Sequence, residues 1–222
     1  MPVLVCFHAH PDDEAIATGG LMAQTAAAGG RGVLVVATRG ERGQPQPGVL
    51  SEDDALWEHR IPETFAAAEV LGVDRVEFLG YVDSGMMGES TNDFPYSFWQ
   101  SDIDRAARRL AAILTEENQT RIEAAMAEQA AALDEARAEG VDVPELSDVF
   151  GKPEDEITHG VDVTDHLAAK RAAMAAHSSQ ISSDSWFLSM EDEMFAAAFG
   201  TEWYIETGVP RSGAEELRTS IW

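Results

Sequence analysis

Short apolar runs alternating with alanine-rich helical stretches constrain this chain more than any other feature of its sequence. Val3–Phe7 is a continuous apolar run with the length of a strand buried on both faces. From Asp13 to about Ala28 the apolar spacing turns helical, and it stops at Gly29-Gly30, a common helix terminator. Gly32–Thr38 repeats the strand pattern, and Arg39–Leu50 is a loop rich in Gly and Pro. Glu52–Leu71 is helical up to Gly72, Arg75–Gly80 is a third strand, and Ser101–Glu117 is a third helix. Asp102 and Asp104 fall in the first turn of that helix, where its dipole favours negative charge. The alternation predicts an α/β fold: a doubly wound, mostly parallel, Rossmann-like sheet flanked by helices.

The alternation stops after Glu117. A further strand is due there, yet Asn118-Gln119 leads straight into Thr120–Glu139, a long helical pattern rich in Ala and Glu. A polar loop, Val141–Glu156, follows. Ile157–Val163 then reads as a strand and Thr164–His177 as a helix. The tail from Ser178 carries Trp186, Phe187, Phe195, Phe199, Trp203 and Tyr204, which are expected to pack on the domain. Residues 1–222 thus read as a single α/β domain with a helical, aromatic-rich C-terminal part and a segment missing near 118–120.

Charge narrows the partners. Forty acidic against 15 basic residues give a net charge of −25, which repels phosphate backbones and anionic lipid, so neither nucleic acid nor membrane is an expected partner. The plainer reading of so negative a surface is an adaptation to solubility or salt, with a cationic substrate as the alternative. The single Cys6 cannot form an internal disulfide, as suits a reducing compartment. No basic segment followed by a long apolar run marks a signal peptide, and no run of about 18 apolar residues could span a bilayer. The expected location is the cytoplasm, and the sequence leaves homo-oligomer formation open.

The chemistry is expected where the first strand meets the first helix, because open parallel sheets bind ligands beyond the carboxyl ends of their strands. His10-Pro11-Asp12-Asp13-Glu14 lies there. The His10 imidazole and the Asp13 carboxylate can reach one metal across such a turn, a nitrogen and oxygen set suited to Zn²⁺. Asp12 is free on the same turn to take a proton from water. The plainer alternative is an Asp-capped helix start beside a solvated His.

The full string His8-Ala9-His10-Pro11-Asp12-Asp13-Glu14 resembles the PIG-L (LmbE-like) zinc-dependent deacetylase family. Thr38-Arg39-Gly40-Glu41-Arg42-Gly43 is similar to that family's second-strand loop, and Arg60-Ile61-Pro62-Glu63 to its Arg-x-x-Glu helix. Tyr81-Val82-Asp83-Ser84-Gly85-Met86 resembles the Asp-Ser-Gly-Met loop of actinobacterial mycothiol-pathway members, and Ala175–Gln180 the late Ala-x-His-x-Thr-Gln element. The resemblance implies that His10 and Asp13 bind zinc and that Asp12 is the general base. It also implies that Arg60 and Asp83 hold sugar or inositol hydroxyls and that Met86 lines the pocket. Each has a plainer reading: Arg60 as a helix charge paired with Glu63, Asp83 as a turn former before Ser-Gly. Glu14 reads as a first-turn dipole partner, Glu41 as either an orienter of the ligand shell or a loop cap, and His177 as a core histidine.

One family element is missing. Members carry a His-Pro-Asp-His-type segment after the fourth strand that supplies the third zinc ligand, and here Thr115–Asn118 runs directly into Gln119-Thr120. Either the chain is broken there, or the segment is truly lost and the protein is a metal-poor paralogue, or His159 substitutes. The first is favoured, since losing a central strand would bare sheet edges; it predicts a discontinuity between about Asn118 and Thr120. The function implied is zinc-assisted removal of an N-acyl group from a small amino-sugar or sugar-inositol substrate. The alternatives are a mycothiol-type S-conjugate amidase and a non-catalytic sugar-binding paralogue.

Overall fold

The computed structural model describes residues 3–51, 54–117, 156–209 and 216–221. The expected chain break, the Ala/Glu-rich helix from Thr120 and nearly all of the polar loop after it lie outside the described residues.

Three parallel strands, β1 (Val3–His8), β2 (Arg31–Thr38) and β3 (Arg75–Tyr81), pair in the order β1-β2-β3. Val3 faces Arg31 and His8 faces Val36, and β2 meets β3 from Val33 opposite Arg75 onward. The central strand is inaccessible to solvent from Val33 to Ala37. That explains its unbroken apolar run, because both of its faces are covered. Leu34 and Val36 point to one layer, with Met22, Leu71, Met174 and Phe195. Val33 and Val35 point to the other, with Leu79, Tyr81 and the side chains of Ala106, Leu110 and Ile113.

The first layer is built from α1 (Asp13–Ala17), α2 (Gly19–Ala27), α3 (Leu56–Leu71) and α5 (Leu167–Ala176). The second is α4 (Ile103–Glu117), whose start is capped by Asp102 accepting from the Arg105 amide at 2.8 Å. A separate antiparallel pair joins β4 (His159–Asp162) to β5 (Thr201–Tyr204), and α6 (Asp192–Phe199) precedes β5. Among the described residues no helix is long and apolar enough to cross a membrane.

Two expectations need correction. The stretch after Asp13 is two helices rather than one, broken at Thr18. The Thr18 hydroxyl bonds back to the Glu14 carbonyl at 3.2 Å and sits 2.9 Å from His8 Nε2. The next helix start is then capped from afar: Glu202 accepts from the amides of Gly20 and Leu21 at 2.8 and 2.9 Å. Glu202 also takes Lys170 Nζ at 2.7 Å and the Tyr204 hydroxyl at 2.6 Å, so its buried charge is well partnered. In the tail, Phe187, Phe195 and Phe199 join the first core layer, but Trp186 and Trp203 are exposed.

Candidate active site

The turn after β1 is pinned before it reaches any functional residue. The Thr38 amide and hydroxyl both donate to the Ala9 carbonyl, at 3.1 and 3.0 Å, tying the turn to the end of the central strand. His10 follows. Its Nδ1 lies 3.5 Å from Asp13 Oδ2 and its Nε2 lies 3.3 Å from Asp83 Oδ1, so the ring bridges two carboxylates. The His10 amide also donates to Asp13 Oδ2 at 3.0 Å. Hydrogen bonds to Asp13 and then Asp83 push the imidazole up to about 10. Burial works to raise the Asp13 carboxyl, but the bonds from His10 outweigh it and hold the group below its usual value.

Asp12 has φ 91°, the left-handed region that a residue with a Cβ seldom enters. Such a conformation costs on the order of 1–3 kcal/mol and persists only where its surroundings impose it. Here Arg60 holds the turn from one side: Nη2 donates to the Pro11 carbonyl and, at 3.0 Å, to Asp12 Oδ2, while Nη1 donates to the Gly40 carbonyl at 3.1 Å. Glu14 holds it from the other, accepting from the Asp12 amide at 3.0 Å. Burial lifts the Asp12 carboxyl to about 6 despite the opposing pull of Arg60.

Asp83 enters from the loop after β3. Its oxygens accept from the amides of Arg42 and Gly85, each at 3.0 Å. Burial disfavours its charge, yet the His10 side chain and those amides hold it down to about 2. Glu41 acts as a loop tie, accepting from the Asp83 amide at 3.1 Å. Together His10, Asp12, Arg60, Asp83 and Met86 border one open cleft of about 400 Å³, which Arg42, Glu89 and Gln180 complete.

The structure thus gathers His10, Asp12, Asp13, Arg60 and Asp83 around one turn and sets Met86 at the rim of the cleft. Arg60 is not the helix-surface charge of the plainer reading: it is 3% exposed, and Glu63 bonds instead to Ser179, through its amide and its hydroxyl, both at 2.6 Å. Glu14 is more than a dipole partner, since His177 Nε2 lies 2.5 Å from its Oε1 and both side chains are wholly buried. Sequence reasoning missed Arg42, Glu89 and Gln180. Gln180 had a signal, because it closes the Ala-Ala-His-Ser-Ser-Gln element.

The metal expectation meets a partial donor set. His10 and Asp13 offer nitrogen and oxygen donors 3.5 Å apart, close to the roughly 3.4 Å that a tetrahedral ion at about 2.1 Å from each would impose. Among the described residues no group of three or more His, Cys, Asp or Glu side chains is arranged to hold a metal ion. His159 does not substitute. It lies on β4, bonded through Nδ1 to the Thr158 hydroxyl at 2.8 Å, and borders a separate groove along β1.

Comparison with known proteins gives the family. The sequence pattern of PIG-L, GlcNAc-PI de-N-acetylase, matches residues 5–177. The chain belongs to the PIG-L family. The 1D-myo-inositol 2-acetamido-2-deoxy-alpha-D-glucopyranoside deacetylase of Salinispora arenicola is 34% identical over 272 aligned positions, covering 95% of this chain and 87% of the relative. Those 272 positions exceed the 222 residues here, so this PIG-L relative carries residues without a counterpart in the chain. Among solved structures, N,N'-diacetylchitobiose deacetylase from Pyrococcus horikoshii superposes with a TM-score of 0.51 at 19% identity, covering 93% of this chain and 84% of that one. GalB, the 4-carboxy-2-hydroxymuconate hydratase from Pseudomonas putida KT2440, gives 0.52 at 21% identity, covering 89% and 84%. A deacetylase and a hydratase share the fold, so the reaction must be argued from the site.

Proposed function

We propose that this PIG-L chain is a hydrolase that removes the acetyl group from the nitrogen of an amino-sugar–inositol or closely related amino sugar. One observation carries the reading. Asp12 lines an open cleft beside a His10–Asp13 donor pair spaced for a cation, and burial raises its carboxyl above the usual range. A carboxylate tuned toward neutrality suits proton transfer in both directions. The names of relatives such as the S. arenicola enzyme supply the substrate class.

In this reading His10 and Asp13 hold zinc, which when bound supplies Lewis acidity toward the amide carbonyl and water. Asp83 fixes the His10 ring through Nε2, a carboxylate–histidine arrangement that leaves Nδ1 turned toward Asp13. Asp12 takes a proton from the attacking water and returns it to the departing amine. Arg60 keeps the Asp12 carboxylate aimed into the cleft. Arg60 and Asp83 present charge to sugar or inositol hydroxyls, and Met86 gives the ring an apolar wall. The protein's place is proposed to be the cytoplasm.

A second reading, a sugar-binding protein without turnover, is favoured by the donor count, because a catalytic zinc ordinarily has three protein ligands. The S. arenicola relative carries residues without a counterpart here, and a third ligand within such a stretch would account for the short donor count. Acetate release from the acetamido-glucosyl inositol, measured with zinc content, separates the two readings. Asp12→Asn should keep its metal and lose roughly 10²–10⁴-fold in turnover, whereas His10→Ala should lose both. Sugar binding without acetate release by the parent protein would select the second reading.

A further inference from the structure

Glu14 and His177 form the most deeply buried polar pair beside the cleft, and no step of the reaction above uses either. Neither exposes any side-chain surface, and His177 Nε2 lies 2.5 Å from Glu14 Oε1. The other carboxylate oxygen, Oε2, accepts from the Asp12 amide at 3.0 Å. That amide belongs to the only non-glycine residue with positive φ among the described residues. His177 is itself fixed, because it ends α5 at a segment that Glu63 grips through Ser178 and Ser179. A chain of contacts therefore runs from α3 through the end of α5 and the start of α1 to the backbone of Asp12.

We infer that Glu14 and His177 are a positioning pair that holds Asp12 in its left-handed backbone conformation and so aims its carboxylate into the cleft. The physical argument is local. A residue with a Cβ does not stay at φ 91° unaided, and two side chains bond directly to Asp12 itself. Arg60 takes the Pro11 carbonyl and the Asp12 carboxylate, while Glu14 takes the Asp12 amide. If the peptide rotated to an ordinary φ, the amide would leave Glu14 Oε2, and a buried acceptor would lose its partner. His177 Nε2 donates to Oε1 and stops Glu14 from swinging away. Its Nδ1 has no hydrogen-bond partner, so the ring's polar contact is made to Glu14.

The proposal rests on Asp12 being the base, and its test separates the two ideas. In a crystal structure of Glu14→Ala, Asp12 should leave the positive-φ region; in Glu14→Gln, whose amide oxygen still reaches the Asp12 amide, it should stay. Asp12 remaining at positive φ in Glu14→Ala overturns the inference, whatever the activity. In the parent protein the Asp12 amide should be protected from hydrogen exchange although its turn borders an open cleft; free exchange there overturns it too, and this readout needs no variant to fold. Turnover should fall about 10–100-fold in Glu14→Ala with KM little changed, because a small misplacement of a reacting group costs that much. Glu14→Gln should recover most of the loss even where its thermal midpoint drops. Glu14→Ala added to Asp12→Ala should cost nothing further in turnover, since both act through one carboxylate; a full additional loss would return Glu14 to a purely structural part. If Asp12→Ala itself leaves turnover intact, the base assignment fails, and the φ and exchange measurements still decide the positioning.

Discussion

The two flanks of the cleft carry charge in opposite ways. His10 and Asp13 are each 40% exposed at the side chain and pair with one another, with His10 also reaching Asp83, so the Asp13 side of the pair can change partners without burying a bare charge. Arg60 and Glu14 are buried and give their polar atoms to backbone, Arg60 to the carbonyls of Pro11 and Gly40 and Glu14 to the amide of Asp12. A half-exposed pair can exchange a proton for a cation without stranding a charge. A buried charge that loses its partner keeps the whole desolvation penalty. Three consecutive acids therefore have three duties: Asp13 faces the exchangeable flank, Glu14 the fixed one, and Asp12 stands between them, aimed by the second toward the first. What separates them is direction, since a turn followed by a helix start sends successive side chains to different sides.

Arg60→Ala is the strongest attempt to break that contrast. It leaves the Asp12 carboxylate and two carbonyls without their donor, and the expected loss of stability is about 3–5 kcal/mol. Asp13→Asn, on the exchangeable flank, should cost about 1 kcal/mol or less while weakening zinc binding. Urea midpoints measured on both variants without metal check the difference. A smaller loss for Arg60→Ala than for Asp13→Asn would erase it.

Asp12, between the flanks, should show the strain of its position. Its carboxyl is lifted to about 6 from 3.8, burial being the main cause. Between those pH values the fold binds a proton that the unfolded chain has already released. Stability therefore falls as pH rises through this window, and the ionised carboxylate opposes folding above it. Asp12→Asn removes the charge and should be the more stable protein at pH 7, by up to about 3 kcal/mol, with the advantage fading as pH drops from 6 toward 4. With zinc bound, the charge of the ion pulls the same carboxyl down, so the rising limb of kcat/KM should lie below the pH at which the metal-free protein shows this ionisation. A stability gain for Asp12→Asn that is equal at pH 4 and pH 7 would break the link between burial and the raised carboxyl.

Gly40→Ala probes the fixed flank without touching any charge. Gly40 has φ 68°, and a Cβ there would run into the Arg60 guanidinium. The guanidinium must shift or the backbone must turn, and about 1–3 kcal/mol of stability should go with it. A neutral Gly40→Ala in a thermal melt would show that Arg60 has more freedom than its hydrogen bonds imply.

Much of this was legible in the sequence for a physical reason. β2 was readable because a strand covered on both faces must be apolar throughout, whereas β1 and β3 are only partly buried and were marked by their alternation with helical stretches, as α3 and α4 were by their helical spacing. His10, Asp12 and Asp13 could be grouped in advance because they share one turn, and the resemblance of the whole string made that turn the expected site. The break at Thr18 was not, since it depends on Glu202, 182 residues from Gly20, capping the second helix. Nor was the role of Glu14, whose partner His177 is 163 residues away, or that of Glu63, 116 residues from Ser179. Local periodicity carries no record of such pairs. Trp186 and Trp203 were expected to pack because they are large and apolar, but that rule runs one way: a folded surface still contains many apolar atoms.

The smallest effect is expected at Met86, which tests whether the cleft has an apolar wall at all. Met86 is 72% exposed, so its side chain adds little to the fold. The shape of its loop is set by backbone bonds that do not involve that side chain: the Met86 amide donates to Glu89 Oε2 at 3.2 Å, and Asn92 Nδ2 donates to the carbonyls of Ser84 and Met86 at 2.7 and 3.1 Å. Met86→Ala should therefore leave the urea midpoint within about 0.5 kcal/mol of the parent. The loop keeps its course, and only the apolar surface offered to a bound sugar ring disappears. Losing a small apolar contact corresponds to about 1 kcal/mol, or roughly a fivefold rise in KM, with kcat unchanged because an apolar wall neither moves a proton nor holds the cation. An unchanged KM would take Met86 out of the substrate site and leave recognition to the charged residues of the fixed flank. A fall in kcat would mean instead that the loop reports to Asp83, whose carboxylate receives the Gly85 amide one residue before Met86, and through it to the His10 ring.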